Sequence, residues 1–295
     1  MIRKHLGLLL IFFLFIISPI MSQPPASEIY LVDVSYSSAG EMGFRKPINI
    51  THRKGYDNQP SFSNDGKFLY YVSIREDKQA DIYKYEIATG TTTQFTKTTE
   101  SEYSPTETPD GKYISVVRVE KDSAQRIWKF PLNGNQPELV FKKVDSIGYH
   151  CWITNDSVAL FVLGKPERLT TVGKSMKTKA FADHIGRCTT KIPGTKSLSF
   201  ISKRMGKDSI TWRICRLDEN GKVNTIVETL KGSEDYCWTS TGKILMAQGP
   251  IIYSNAPAQN KKWNELINFS SSGIKKINRI SLSSDSKKLA IVVME

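Results

Sequence analysis

The sequence reads Asn64-Asp65-Gly66-Lys67-Phe68-Leu69-Tyr70-Tyr71-Val72, and 45 residues later it reads Pro109-Asp110-Gly111-Lys112-Tyr113-Ile114-Ser115-Val116-Val117. Each copy places an Asp-Gly turn in front of an apolar run, which is the pattern of a tight turn that leads into a strand. A repeat of this length, built from short strands, is typical of a four-stranded β-propeller blade. The repeated phrase therefore predicts an all-β propeller.

Turns of the same class recur along the whole chain. They fall near positions 65, 110, 156, 194, 241 and 285, and turns of a second class, such as Thr89-Gly90 and Asn220-Gly221, lie between them. Two alternating classes indicate four strands per repeat, so we expect a single six-bladed β-propeller domain over residues 23–295. The segments Glu28–Asp33 and Ile280–Val293 each hold part of one blade, and we expect these N- and C-terminal strands to pair and close the ring.

The first 22 residues have the pattern of a secretory signal peptide. Arg3 and Lys4 precede an apolar run that extends from Leu6 to Ile17, and Ser22 offers a small residue for cleavage. The run is shorter than the roughly 18 to 20 apolar residues of a membrane-spanning helix. We therefore expect residues 1–22 to be removed and the mature protein to be periplasmic or extracellular.

The chain is strongly basic. Its formal net charge is +12, and the loss of Arg3 and Lys4 with the signal peptide leaves +10. Such a charge favours acidic partners. The basic residues are scattered over turns and strand exteriors, however, without the interleaved aromatic residues of a nucleic-acid platform, so we expect no nucleic-acid partner.

Three segments carry a family resemblance. They read Gln59-Pro60-Ser61-Phe62-Ser63-Asn64-Asp65-Gly66-Lys67, Ser104-Pro105-Thr106-Glu107-Thr108-Pro109-Asp110-Gly111-Lys112 and Ile280-Ser281-Leu282-Ser283-Ser284-Asp285-Ser286-Lys287. They resemble the Pro-x-Trp-Ser-Pro-Asp-Gly-Lys repeat of TolB-type, WD-repeat-like β-propellers, in the stand-alone exported form of Gram-negative bacteria. The resemblance implies a fold and a compartment but no agreed activity, because the Asp and Gly form the turn and the aromatic residue packs between blades. Trp152 and Trp238 keep that aromatic residue, and we expect both to be buried at equivalent positions.

The four cysteines of the mature chain allow two interpretations. Cys151, Cys188, Cys215 and Cys237 form an even set in an oxidising compartment, which permits disulfides. Most of them fall on inner strands of separate blades, and a disulfide needs Cα atoms within about 7 Å, so buried free thiols are favoured and the pairing stays open. Because there is no Cys-x-x-Cys spacing, we expect no metal site and no cofactor.

A binding site is predicted where the segments that lead into the inner strands converge on one mouth of the channel. The candidate residues are Gln59, Tyr103, Glu107, Tyr149, His150, Arg187, Asp235, Tyr236 and Arg279. Mixed Tyr, Arg, His and amide side chains are typical of recognition surfaces. We therefore expect a non-enzymatic, monomeric module that binds a protein or peptide of the cell envelope.

Two alternatives remain open, namely a propeller that binds a small ligand or glycan and a lactonase or other hydrolase. Glu107 stands where the resembling family has Trp, and paired acid–base chemistry would need a second carboxylate or a His about 5 to 10 Å from it. The docking interpretation predicts that Glu107 is isolated from other carboxylates. We expect Asp57, Glu102 and Asp235 to be charged side chains on surface loops.

Overall fold

The computed structural model describes residues 24–133, 136–204, 212–260 and 262–295. These residues form β-strands and one short 3-10 helix, Ser270–Ser272, and no α-helix. The predicted signal peptide at residues 1–22 lies outside the described residues. Within the described part, no helix is both long enough and apolar enough to cross a bilayer.

Four of the sheets contain four consecutive antiparallel strands each, numbered here in chain order. They are β8 (Ser101–Glu107), β9 (Tyr113–Val119), β10 (Gln125–Pro131) and β11 (Glu138–Leu139); β12 (Ile147–Thr154), β13 (Ser157–Val162), β14 (Arg168–Gly173) and β15 (Thr178–Asp183); β16 (Ile185–Lys191), β17 (Leu198–Ser202), β18 (Arg213–Leu217) and β19 (Val223–Glu228); and β20 (Tyr236–Trp238), β21 (Ile244–Gln248), β22 (Ile251–Asn255) and β23 (Asn264–Asn268).

The fifth sheet joins both ends of the chain. Its path contains β24 (Ile277–Leu282), β25 (Lys288–Met294), β1 (Ser27–Tyr36), β4 (Tyr56–Phe62), β5 (Phe68–Ile74), β6 (Ala80–Glu86) and β7 (Thr92–Gln94), and β2 (Met42–Phe44) and β3 (Ile48–Asn49) pair with β1. The all-β prediction is therefore confirmed.

The two terminal strands pair with each other over seven residues. β1 runs antiparallel to β25, from Ser27 opposite Met294 to Asp33 opposite Lys288, which confirms the predicted pairing of the termini. The same sheet continues into β4, because Ser27 also forms a single parallel bridge with Tyr56. Two groups of strands that the sequence predicted as separate blades thus share one nine-stranded sheet.

The first strands of the groups, β4, β8, β12, β16, β20 and β24, lie around a central channel and are called the inner strands. β24 contacts β20 on one side and β4 on the other, while β8 lies between β4 and β12, and β12 contacts β16. The hydrophobic core lies between neighbouring sheets, as where Val72 and Ile82 cluster with Ile114 and Phe130. Each sheet therefore buries its faces against its neighbours.

The repeated Asp-Gly phrase forms the turn between an inner strand and the next strand. Asp65 accepts a hydrogen bond from the backbone N–H of Lys67 at 3.0 Å, and Gly66 adopts a φ of +71°, which favours glycine. Equivalent bonds recur at Asp110 and Asp285. The Asp and Gly that recur in each copy of the phrase therefore form this turn.

The two tryptophans occupy equivalent positions between sheets, as predicted. The indole N–H of Trp152 donates to the hydroxyl of Ser115 on β9, and that of Trp238 donates to Ser199 on β17, both at 2.8 Å. Trp152 is buried, but Trp238 is only half-buried because it borders the central channel. The predicted burial therefore holds fully only for Trp152.

All four cysteines are free. Cys215 is buried and the other three are half-buried by surface area. Burial raises the pKa of the Cys151 and Cys237 thiols to about 12, which keeps both protonated at neutral pH. The free-thiol interpretation is the one that the structure supports.

The closing strand supplies the first prediction. Ile29 on β1 is fully buried against Leu69 and Val292, whereas Ile48 is 64% exposed. We expect Ile29→Ala to lower the free energy of unfolding by about 2 to 5 kcal/mol, because it leaves a cavity where the two ends of the chain meet. Ile48→Ala, the matched control, should change it by less than about 0.5 kcal/mol.

Urea unfolding followed by intrinsic fluorescence measures both changes. Equal costs for Ile29→Ala and Ile48→Ala would contradict the closure of the ring by β1.

Candidate functional site

Irregular pairing turns inner-strand side chains towards the channel. The ladder shifts register between Asn58 and Ser61 in β4 and between Tyr103 and Thr106 in β8, and similar shifts occur in β12, β16 and β24. Gln59 has a φ of +54° within the first of these shifts. Such bulges bend a strand and re-aim side chains.

The channel contains a cavity of about 660 Å³. Seven of the nine predicted residues line it, namely Gln59, Tyr149, His150, Arg187, Asp235, Tyr236 and Arg279. The cavity extends along the inner strands to their turns, where Asn64, Ser240 and Ser284 are exposed. We call the end with these turns the turn face, and the opposite end, where connecting segments lead into the inner strands, the loop face.

Tyr103 and Glu107 do not line this cavity. Tyr103 packs between two sheets. Glu107 accepts a hydrogen bond from the backbone N–H of Asn64 at 2.5 Å, and burial together with the nearby carboxylates of Asp65 and Asp110 raises its pKa. The expectation that Glu107 is isolated from other carboxylates is therefore wrong, because it lies beside the two Asp-Gly turns.

A network of charged and polar side chains crosses the channel. Arg187 donates to Asp235 through Nε at 2.9 Å and also through Nη2, and Arg279 approaches the other carboxylate oxygen at 3.5 Å. Arg279 also donates to the hydroxyl of Tyr149 at 2.8 Å. Tyr149 belongs to β12 and Arg279 to β24, which lie on opposite sides of the ring. We call Tyr149, Arg187, Asp235 and Arg279 the cross-channel network.

Both arginines in the network stay charged. Burial alone would lower the pKa of Arg279, but Asp235 and the neighbouring Tyr149 and Tyr56 raise it well above its usual value. The pKa of Arg187 is also raised by Asp235 despite burial. Since two guanidinium groups share one carboxylate, this part of the channel carries excess positive charge.

A glycine allows an additional contact beside the network. Glu234 accepts the backbone N–H of Arg187 at 2.7 Å and pairs with Lys203 at 2.9 Å. A Cβ on Gly186 would lie 2.8 Å from the Glu234 carboxylate and 2.8 Å from Cβ of Ile201, which is fixed to the backbone, so this close packing requires glycine. Burial opposes ionisation of Glu234, but the contacts from Arg187 and Lys203 hold its pKa below the usual value.

The network lies between two cavities. Arg187, Asp235 and Arg279 border the central cavity and also a second one of about 370 Å³ on the loop face, which Lys231 and Lys276 help to line. The sequence predicted a channel mouth at this end. Four of the predicted residues, Tyr149, Arg187, Asp235 and Arg279, converge there, but they bond across the channel and form a floor.

Asp57, Glu102 and Asp235 are not surface charges, so that expectation is wrong for all three. The Asp235 side chain is 10% exposed and belongs to the cross-channel network. The side chains of Asp57 and Glu102 are fully buried at the start of β4 and β8. Arg53 pairs with Asp57 at 3.1 Å, and Arg118 pairs with Glu102 at 3.1 Å. Burial nevertheless raises the pKa of Glu102 to about 7, against the effects of Thr98 and Arg118.

His150 is bound to a buried serine. Ser115 Oγ accepts from the indole N–H of Trp152 at 2.8 Å, and it lies 2.8 Å from the backbone carbonyl of Thr106 and 2.7 Å from His150 Nε2. Its single proton goes to the carbonyl or to the imidazole, according to the tautomer of His150. Burial lowers the pKa of His150 to about 4, which keeps the ring neutral. Ser115 is therefore a structural hydroxyl, since it is buried among these three partners.

The loop face carries a ring of exposed lysines. The ring consists of Lys54, Lys97, Lys142, Lys143, Lys231, Lys275 and Lys276, which precede inner strands along the chain. None of them forms an ion pair within the described part of the chain. No group of three or more His, Cys, Asp or Glu side chains suited to a metal ion occurs among the described residues.

Comparison with known proteins identifies the fold. No family model and no curated protein matches the sequence. A solved structure from Agrobacterium tumefaciens described as TolB is 15% identical, with a TM-score of 0.69 over 92% of this chain and 99% of that one. The chain has a TolB-like β-propeller fold.

Other propellers are similar too. A gluconolactonase from Xanthomonas campestris is 8% identical, with a TM-score of 0.65 over 94% of this chain and 99% of that one. A chain of a nidogen/laminin complex is 11% identical, with a TM-score of 0.60 over 90% and 98%. At such identities the likeness establishes the fold alone.

Sequence reasoning missed cavity residues that lie deeper in the inner strands. Thr189 and Lys191 of β16 line the cavity together with Arg187. The intervening Cys188 and Thr190 line it too, and the ladder is irregular between Ile185 and Thr189, so no simple period of two in the sequence marked them.

The buried Glu102 supplies a prediction about pH. Its pKa of about 7 lies above the ordinary value of 4.5, so the folded state holds this proton more tightly than the unfolded state. The free energy of unfolding should therefore contain a contribution that is full below about pH 4.5 and is lost as the pH rises to 7. We expect Glu102→Gln to remove this decline. The loss of the ion pair with Arg118 should lower the free energy of unfolding by an amount that does not change with pH.

Thermal or urea unfolding across this pH range measures the slope. Glu219→Gln, at a side chain that is 61% exposed, is the control and should leave the slope unchanged. A wild-type slope retained in Glu102→Gln would contradict the assignment.

Proposed function

We propose that this chain is an exported, monomeric, six-bladed β-propeller that acts as a non-enzymatic binding module of the cell envelope. Its partner is a protein or peptide with an acidic surface, and the docking surface is the loop face. The observation that carries this proposal is the ring of exposed lysines, none of which forms an ion pair among the described residues, around a floor that the cross-channel network closes.

The count of six blades rests on the pairing within the nine-stranded sheet. Among the described residues, Ser27 and Tyr56 form the one ladder pair between β1 and β4. Division at that bridge leaves β4 to β7 as one blade, and β24, β25 and β1, with β2 and β3 at its edge, as another. Together with the four separate sheets, these make six.

Electrostatics favours the loop face as the docking surface. Lysines without carboxylate partners keep their full charge for an incoming ligand, and clustered charge of one sign steers association with a partner of opposite sign. The network below them holds Arg187, Asp235 and Arg279 in fixed positions, so little side-chain entropy is lost there on binding. The similar propeller from the nidogen/laminin complex supports protein binding as a use of this fold.

The proposal also states that the chain is exported and that it is not an enzyme. Residues 1–22 are proposed to direct secretion and to be cleaved. The similar gluconolactonase makes a lactonase the second candidate, but Glu107, the carboxylate on which that alternative was based, does not border the cavity. The proposed docking module therefore has no catalytic activity.

Site-specific photocrosslinking in the native host tests the docking surface. A photoreactive residue at Lys276 should capture one defined envelope protein. The quadruple variant Lys142→Gln, Lys143→Gln, Lys231→Gln, Lys275→Gln should reduce the adduct about tenfold or more, because it removes most of the attractive charge, and added salt should reduce it too.

The matched control neutralises four exposed lysines of the turn face, Lys67→Gln, Lys112→Gln, Lys222→Gln and Lys287→Gln, and should retain the adduct. A photoreactive residue at Ser284 on the turn face should not capture the same protein. Equal capture from both faces, an unchanged adduct in the loop-face variant, or hydrolysis of a lactone by the purified protein would contradict the proposal.

A further inference from the structure

Three buried polar atoms around the central cavity have no hydrogen-bond partner within the described residues. They are His150 Nδ1, Thr189 Oγ1 and Arg279 Nε, and all three residues line the cavity. Buried polar groups are normally paired, so unpaired ones call for an explanation such as a ligand or ordered water. They come from three different inner strands, all of which border the same cavity.

The chemistry of each atom sets what a ligand must offer. His150 Nδ1 accepts when Nε2 carries the ring proton and donates when Nδ1 carries it. Arg279 Nε can only donate, and Thr189 Oγ1 can do both. A matching ligand therefore presents hydroxyl groups, which both donate and accept, on one side and a strong acceptor on another.

Charge identifies that acceptor as an anion. Arg187, Lys191 and Arg279 border the cavity, and Asp235 is the only carboxylate residue among the described residues that line it. The cross-channel network closes the loop-face end, so a ligand enters from the turn face and meets the guanidinium groups at the bottom. Hydrogen bonds between guanidinium and carboxylate are among the strong ones in proteins.

The size and lining of the cavity fit a small hydroxylated molecule. Its volume of about 660 Å³ lies within the range of small-molecule sites. Ser61, Ser104, Thr106 and Ser281 add hydroxyl groups, and Trp238 offers a half-buried ring. We infer that the central cavity binds a sugar acid, with its carboxylate at Arg187 and Arg279 and its hydroxyls at His150 and Thr189.

This inference goes beyond the proposed docking function, because it concerns the opposite end of the channel and does not involve the lysine ring. Substitution of the loop-face lysines would leave the binding of the sugar acid unchanged. The sugar acid could be free or could be a residue of an acidic polysaccharide.

Isothermal titration calorimetry of the mature protein tests the inference with D-glucuronate, D-glucose and a β-1,4-linked glucuronate tetramer. We expect the uronate to bind about tenfold or more tightly than glucose, because the carboxylate gains charged hydrogen bonds. Binding of the monomer supports a free sugar acid as the source, and binding of the tetramer alone supports a polysaccharide. Absence of binding by both uronates, or equal binding of glucose, overturns the inference.

Two matched variants separate binding from folding. Thr189→Val removes an unpaired hydroxyl at nearly constant shape and should weaken uronate binding about threefold to tenfold. Thr229→Val removes another buried, unpaired hydroxyl that does not border the cavity, and it should leave binding unchanged. Both variants should unfold at the same midpoint concentration of urea as the wild type, or at a higher one. Equal uronate binding by wild type and Thr189→Val would mean that the Thr189 hydroxyl does not contact the ligand, and would overturn the assignment.

Discussion

The hydrogen bond between Arg279 and Tyr149 determines how this propeller can be used, because it joins inner strands from opposite sides of the ring. A propeller channel is otherwise open at both ends. Here Arg187 and Asp235 extend the bond into a network of four side chains, and the channel acquires a floor. One end becomes a closed surface under a ring of lysines, and the other becomes the opening of a polar cavity.

That floor depends in turn on the closure of the ring by the terminal strands. Arg279 belongs to β24, which pairs with β25, and β25 is held by β1. Ser27 at the start of β1 binds the backbone of Asp57 and the side chain of Asn58 at the start of β4. The position of Arg279 across from Tyr149 is thus set by the meeting of the two ends of the chain, far from the network in sequence.

The fold was predictable from the sequence because turns and strands depend on local patterns. Asp65, Asp110 and Asp285 form the turns that their spacing indicated, and the terminal strands pair as expected. The site was predictable only as a set of converging residues. Whether Asp57 and Glu102 face solvent depends on how the sheets pack around them, which no periodicity reveals. Whether Arg279 ends in solvent or on Tyr149 depends on a partner 130 residues away in the chain. The three unpaired atoms likewise leave no signal in the sequence, because only the structure shows that no described residue forms a hydrogen bond with them.

The most direct test of this account is a double-mutant cycle in urea on Arg279→Gln and Tyr149→Phe. If the two side chains are bonded across the channel, each single variant should be destabilised and the double variant should lose less than the sum, with a coupling energy of about 1 to 2 kcal/mol. Additivity of the two changes within about 0.3 kcal/mol would contradict the account, because it would mean that no bond crosses the channel and that the floor does not exist in solution.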